Sequence, residues 1–153
     1  MAARTINGLE ELTTLVGEHL GYSDYVEITQ EQVNAFADAT GDHQWIHVDV
    51  ERAKAESPFG GPIAHGFLTL SLSNLFLPQL IQVPGASAGV NYGTDKVRFP
   101  SPVPVGCRVR GGAEITAVED IPGGLQTTIA ITIEVEGQDK PACVIESISR
   151  WLA

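Results

Sequence analysis

Gly66-Phe67-Leu68-Thr69-Leu70-Ser71-Leu72-Ser73-Asn74-Leu75-Phe76-Leu77-Pro78-Gln79-Leu80 is the stretch on which the fold turns. Its large apolar residues leave almost no polar face, so a helix over Gly66–Leu80 expects burial on most of its sides. A membrane does not supply that burial. The longest apolar candidate, Ile63 to Val83, is interrupted by His65, Ser71, Ser73, Asn74, Gln79 and Gln82. The cover must come from the rest of the chain.

Downstream the period changes. Thr127, Ile129, Ile131, Ile133 and Val135 occupy alternate positions and define one face of a strand. Gly89 to Phe99, Val105 to Val118 and Ala142 to Leu152 read as further strands. They are separated by Pro100-Ser101-Pro102, Ile121-Pro122-Gly123-Gly124 and Gly137-Gln138-Asp139. No helix intervenes, so an antiparallel sheet is expected, and a buried helix against it makes an α+β fold.

Upstream, a short helix is expected around Leu9 to Val16 and a strand over Ser23 to Ile28. Thr29 with Gln32 forms a capping-box pattern ahead of the stripe Val33, Phe36, Ala37 and Thr40, which Gly41 stops. Asp49 with Arg52 to Glu56 suggests another short helix, and residues 57–62 form a loop by composition. With no repeat and no long linker, residues 1–153 are expected to form a single domain.

Composition narrows the function. A chain of 153 residues with 43% hydrophobic content can bury about two-thirds of its unfolded surface without metals or disulfides. Cys107 and Cys143 read as small buried side chains in strands. The formal charge of −10 argues against nucleic acid as a partner, since such a footprint should be basic. It leaves room for an anionic small ligand held by a few local cations. Glu10 and Glu11 precede any apolar run, so a secretory leader is not expected, and a cytoplasmic location is.

Asp42-His43-Gln44-Trp45-Ile46-His47-Val48-Asp49 is too dense in functional groups for ordinary core. If the intervening residues form a tight loop or turn, the Asp42 carboxylate and the His47 imidazole can converge on one small molecule. Two groups able to exchange a proton near neutral pH suit addition of water across an activated double bond. Asp42 as a turn cap beside a structural His47 would explain the same spacing. His43, His47 and His65 with Asp42 and Asp49 also raise metal ligation. No pair has the helical spacing of a zinc hydrolase and no cysteine is near, so no metal is expected.

At Ile63-Ala64-His65-Gly66-Phe67 the apolar helix begins. A helix start offers free N–H groups, and Gly66 would let a carbonyl approach one closely; a glycine serving only a tight entry turn is the alternative. Lys96 and Arg98 in one strand, and Arg108 and Arg110 in the next, are candidates for phosphate contact. They could equally be surface partners of carboxylates.

Taken together, three motifs carry a resemblance. Phe36 to Asp49, with its Gly41-Asp42-His43-Gln44-Trp45-Ile46-His47 centre, resembles the signature of the MaoC-like, or type 2, (R)-specific enoyl-CoA hydratases. It is most similar in wording to the branch of nodulation protein N-like proteins and small mycobacterial 3-hydroxyacyl-thioester dehydratases. Ile63 to Phe67 and Val97-Arg98-Phe99-Pro100-Ser101-Pro102-Val103 match two further landmarks in order, and the likeness runs from about residue 18 to the end. It implies a hot-dog fold, an antiparallel sheet wrapped around a long central helix, paired into homodimers with active sites near the interface. It also implies Asp42 and His47 as catalytic residues, the Gly66 N–H as oxyanion donor, an enoyl-CoA or 3-hydroxyacyl-CoA substrate and no cofactor. Many relatives have Asn-Pro where this chain has Gln44-Trp45, so loop shape and acyl preference are not carried over. An acyl-CoA thioesterase and a non-catalytic acyl-thioester-binding subunit are the rival functions.

Overall fold

The local signals around the first long helix are realised one by one in a computed structural model, which describes residues 3–153. Helix α2 (Gln30–Thr40) starts at Thr29, whose hydroxyl accepts from the Gln32 amide at 3.1 Å. It buries Val33 and Ala37 and ends at Gly41, whose φ of 84° is left-handed and so suited to glycine. This reversal delivers Asp42 at the helix end. Two short helices follow, α3 (Trp45–Val48) and α4 (Val50–Glu56), and Asp49 caps the second by accepting from the Arg52 amide. Upstream lie β1 (Arg4–Thr5), α1 (Glu11–Thr14), β2 (His19–Tyr22) and β3 (Val26–Glu27). The strand expected over Ser23 to Ile28 is thus shorter, and β2 precedes it.

The central helix departs from expectation. It is two pieces, α5 (Gly66–Ser71) and α6 (Ser73–Leu80), joined at Leu72. The Ser71 hydroxyl donates to the Leu68 carbonyl at 2.7 Å, the same carbonyl that the Leu72 amide reaches at 3.3 Å. Such back-bonding competes with the helical ladder and bends it. Burial is also one-sided. Leu68, Leu72, Phe76 and Leu80 face the core, whereas Phe67 is 69% exposed and Leu75 is also exposed.

After α6 come β4 (Ile81–Gln82), β5 (Ala88–Arg98), β6 (Arg108–Ile121), β7 (Gly124–Val135) and β8 (Cys143–Leu152). The main sheet has the order β2-β6-β7-β8-β5, with β3 also on β6, and every pairing is antiparallel. A separate parallel pair, β1 with β4, closes one end of α6, a contact that two-residue strands cannot announce by periodicity. Along β7 the buried positions alternate without a break from Leu125 to Val135. Thr127, the polar member, accepts from the Trp151 indole N–H at 2.9 Å. Register shifts in β5–β8, β6–β7 and β2–β6 let the sheet curl around the helix. Gly111 sets their distance of approach: a Cβ there would stand 2.8 Å from Phe76 Cβ.

A curved antiparallel sheet around a central helix is the hot-dog arrangement. Its interior is one hydrophobic cluster running from Ile6 to Ile145. Both cysteines are free, and burial pushes the Cys143 thiol up to about 11, which keeps it protonated and inert. Among the described residues no helix is long and apolar enough to cross a membrane.

Candidate active site

Asp42 leaves the Gly41 turn with one carboxylate oxygen accepting from the Gln44 amide at 3.3 Å. Its side chain stays 53% exposed. His47, five residues on, sits in α3 and is 8% exposed. Its Nδ1 lies 2.7 Å from the Ile63 carbonyl. A carbonyl only accepts, so Nδ1 carries the proton and the neutral ring keeps a bare Nε2. Gln30 of α2 secures the same helix by donating to the His47 carbonyl at 2.8 Å. Nothing in the sequence marked Gln30, which is a generic helix-start residue.

The third member is His65, raised from sequence only as a metal donor. It is 3% exposed, and its ring stacks on His47 with centroids 3.9 Å apart and planes 24° apart. Its Nε2 lies 3.0 Å from the Asp42 carbonyl and 4.0 Å from the Asp42 carboxylate. One potential ligand atom from each of Asp42, His47 and His65 lies within 4.8 Å of the others. A water making two hydrogen bonds of ordinary length at a tetrahedral angle spans about 4.6 Å. A separation of up to 4.8 Å is thus of the order that one shared water bridges.

The same three side chains are a donor set for a divalent cation, but the stack opposes it. Imidazole lone pairs lie in the ring planes, and a shared ion must lie near both planes at about 2 Å from each nitrogen. Nearly parallel rings 3.9 Å apart cannot meet that condition without turning. His43, by contrast, is exposed and turned to Asp38, whose side chain at 3.0 Å raises its pKa. It is outside the cluster.

Gly66 is the first residue of α5, and among the described residues its amide donates to no backbone or side-chain acceptor. It forms part of the wall of a cavity of about 380 Å³, together with Phe59, Thr69, Phe99, Pro102 and Ala142. Ile63, whose carbonyl holds His47, belongs to the same wall. Trp45, the bulky departure from Asn-Pro, lies under the Arg52 guanidinium, 4.2 Å from the ring centre.

The four candidate cations fall into two pairs. Arg108 and Arg110 are bound to Glu136 at 3.1 Å and Glu134 at 3.0 Å, and lie over Tyr25 and Tyr22 respectively. Lys96 and Arg98 line a separate groove of about 380 Å³ beside β7 and β8. No carboxylate among the described residues pairs with them. Strands β7 and β8 stand between the two pairs.

Comparison with known proteins identifies the family. The family model described as "MaoC like domain" matches residues 11–137. The chain is 56% identical to 3-hydroxyacyl-thioester dehydratase Z of Mycobacterium tuberculosis over 98% of this chain and 99% of that one. It is 44% identical to nodulation protein N of Rhizobium meliloti, covering 95% of this chain and 89% of the relative. An (R)-hydratase from A. caviae involved in PHA biosynthesis superposes with a TM-score of 0.73 at 28% identity, covering 89% of this chain and 96% of that one. With the hot-dog fold, the three ordered motifs and these relatives in agreement, the chain belongs to the MaoC-like dehydratase family.

Proposed function

We propose that this protein is a lyase that reversibly hydrates a trans-2-enoyl-CoA to the (R)-3-hydroxyacyl-CoA. The observation that carries the mechanism is the convergence of Asp42 and His47 within 4.8 Å, beside a helix-start amide at the wall of an apolar cavity. A water held between them donates one hydrogen to the acceptor-only carboxylate of Asp42 and the other to the bare Nε2 of His47. As Nε2 takes the proton, hydroxide adds to C3. The electron pair moves through C2 to the thioester oxygen, where the Gly66 N–H receives the developing charge. The proton then passes to C2. Atoms balance with water alone, so no cofactor is invoked, and the stacked imidazoles favour proton chemistry over a metal. The (R) outcome follows from likeness to the relatives.

The deciding experiment is incubation with crotonyl-CoA and longer trans-2-enoyl-CoA thioesters. Loss of enoyl absorbance without release of free thiol is the expected result. Thiol release at the same rate would instead identify a thioesterase, and neither change would identify a binding subunit.

For the CoA phosphates, Lys96 and Arg98 are the better placed pair. Phe99, next along the chain, has its ring 3.4 Å from where a Gly66 Cβ would stand, which brings this strand end to the carbonyl site. Lys96→Ala and Arg98→Ala should each raise KM about fivefold with little change in kcat, as for uniform binding worth about 1 kcal/mol. Arg108→Ala and Arg110→Ala should do less, because their carboxylate partners already hold them. Unchanged KM in all four would reject the assignment.

The chain is further proposed to act as one domain over residues 1–153, assembled as a homodimer. Among the described residues β5 pairs only with β8, which leaves its other edge open, and Val90 and Tyr92 on it are exposed. Phe67 and Leu75 of the central helix are exposed as well, and Phe67 shares a cleft with Asn91 and Thr94 of β5. A second copy laid along β5 would cover all four and approach Gly66. Light scattering at micromolar concentration should give twice the 16.3 kDa chain mass; the monomer mass would reject the dimer. A cytoplasmic setting fits the unpaired Cys107 and Cys143.

A further inference from the structure

We propose that His65 is a positioning residue for hydration, acting through Asp42; this rests on the function proposed above. His65 touches each part of the site in a different way. Its Nε2 is 3.0 Å from the Asp42 carbonyl, across 23 residues of sequence. Its ring covers one face of His47 at 3.9 Å, and Phe36 of α2 packs against it at 4.8 Å. Its backbone is the N-cap of α5, directly before the Gly66 amide.

The hydrogen bond decides what His65 does. Because the Asp42 carbonyl can only accept, the proton of a neutral His65 must sit on Nε2. The other nitrogen, Nδ1, is then bare, and it is buried with no hydrogen-bond partner among the described residues. A buried ring stacked on His47 and packed at a tilt against Phe36 is held in one orientation, and its N–H is a fixed point for the Asp42 backbone. Apart from the exposed His43–Asp38 pair at 3.0 Å, the Asp42 loop has little else among the described residues to hold it. Its amide reaches the Thr40 hydroxyl at a long 3.4 Å, the carboxylate is half exposed, and the Gln44 contact is internal to the turn. Without the His65 donor, the carboxylate would sample positions that no longer share a water with His47. A misplacement of about 1 Å costs on the order of 100-fold in such a reaction.

The test compares two amides. A glutamine at position 65 puts an N–H close to the place of histidine Nε2, whereas an asparagine puts it near Nδ1, out of reach of the Asp42 carbonyl. His65→Gln should keep kcat within about fivefold of the parent protein, while His65→Asn should lose about 20-fold or more with KM little changed. In an Asp42→Ala background the two substitutions should become equivalent, because the group being positioned is gone. His65→Phe, which keeps ring volume and lacks the donor, should behave like His65→Asn and replaces it if that variant does not fold. Equal losses for Gln and Asn, or the same difference between them with Asp42 absent, would show a purely structural histidine and overturn the inference. An Asp42→Ala enzyme with full turnover would instead sink the assignment of Asp42 itself, and this inference with it.

Discussion

Asp42→Asn and His47→Asn are each expected to lower turnover on a good enoyl-CoA substrate by about 100-fold or more, as for proton-transfer groups. Both substitutions preserve the local hydrogen bonds. Asparagine at 42 keeps an oxygen for the Gln44 amide, now at 3.3 Å from Oδ1, and loses only the charge and one acceptor. Asparagine at 47 places an N–H near histidine Nδ1, where it can still donate to the Ile63 carbonyl, now 2.7 Å away. What it removes is the bare Nε2. His47→Ala is the harsher form, because it also strands that carbonyl in a part-buried position, at a cost of about 1–3 kcal/mol in stability. The double variant should lose little more than the worse single one, since both groups serve one water. Steady-state rates with circular dichroism on each protein check this. If both single variants kept more than about a tenth of the parent turnover, well short of the expected loss, the site would be misassigned.

Gly66→Pro is expected to cut kcat by about two orders of magnitude, corresponding to about 3 kcal/mol for one oxyanion donor, while leaving the fold intact. Proline deletes the N–H and nothing else of importance there. Gly66 is the first helical residue after the His65 cap, a position proline favours because its missing donor makes no intrahelical bond. His65 has φ −60° and ψ 140°, the extended conformation that a residue before proline adopts. The nearest atoms to a new Cβ are those of the Phe99 ring at 3.4 Å, an ordinary contact. Gly66→Ala is the control, adding the same carbon while keeping the N–H, and should lose far less. Equal activity of the proline and alanine variants would remove the Gly66 amide from the mechanism.

Much of this was legible from residue order alone. Thr29, Gln32 and Gly41 bound the first long helix, and the alternation from Thr127 to Val135 marks a strand with one buried face, because capping and side-chain period are local properties of the backbone. The apolar run from Gly66 to Leu80 likewise announced the helix at the centre. Its interruption at Leu72 was not announced, since it depends on which carbonyl the Ser71 hydroxyl selects. Nor was the open side bearing Phe67 and Leu75, which periodicity cannot distinguish from a buried one when every face is apolar.

For the site, the sequence by itself determined the chemical inventory: a carboxylate and an imidazole five residues apart after a glycine stop, and a glycine at a helix start. Only the tertiary structure decided what those groups do to each other. The proton of His47 is placed by a carbonyl 16 residues away and the Asp42 loop is tied by an imidazole 23 residues away. Both depend on where Ile63 and Ala64 are pinned against Pro104 and Val103. The pairing of Arg108 and Arg110 with Glu136 and Glu134 is likewise a matter of strand register, set by how β6 and β7 align. Hydrogen bonds are short-ranged and directional, so tautomer, orientation and pairing follow from the folded distances between residues remote in sequence, and no local pattern carries them.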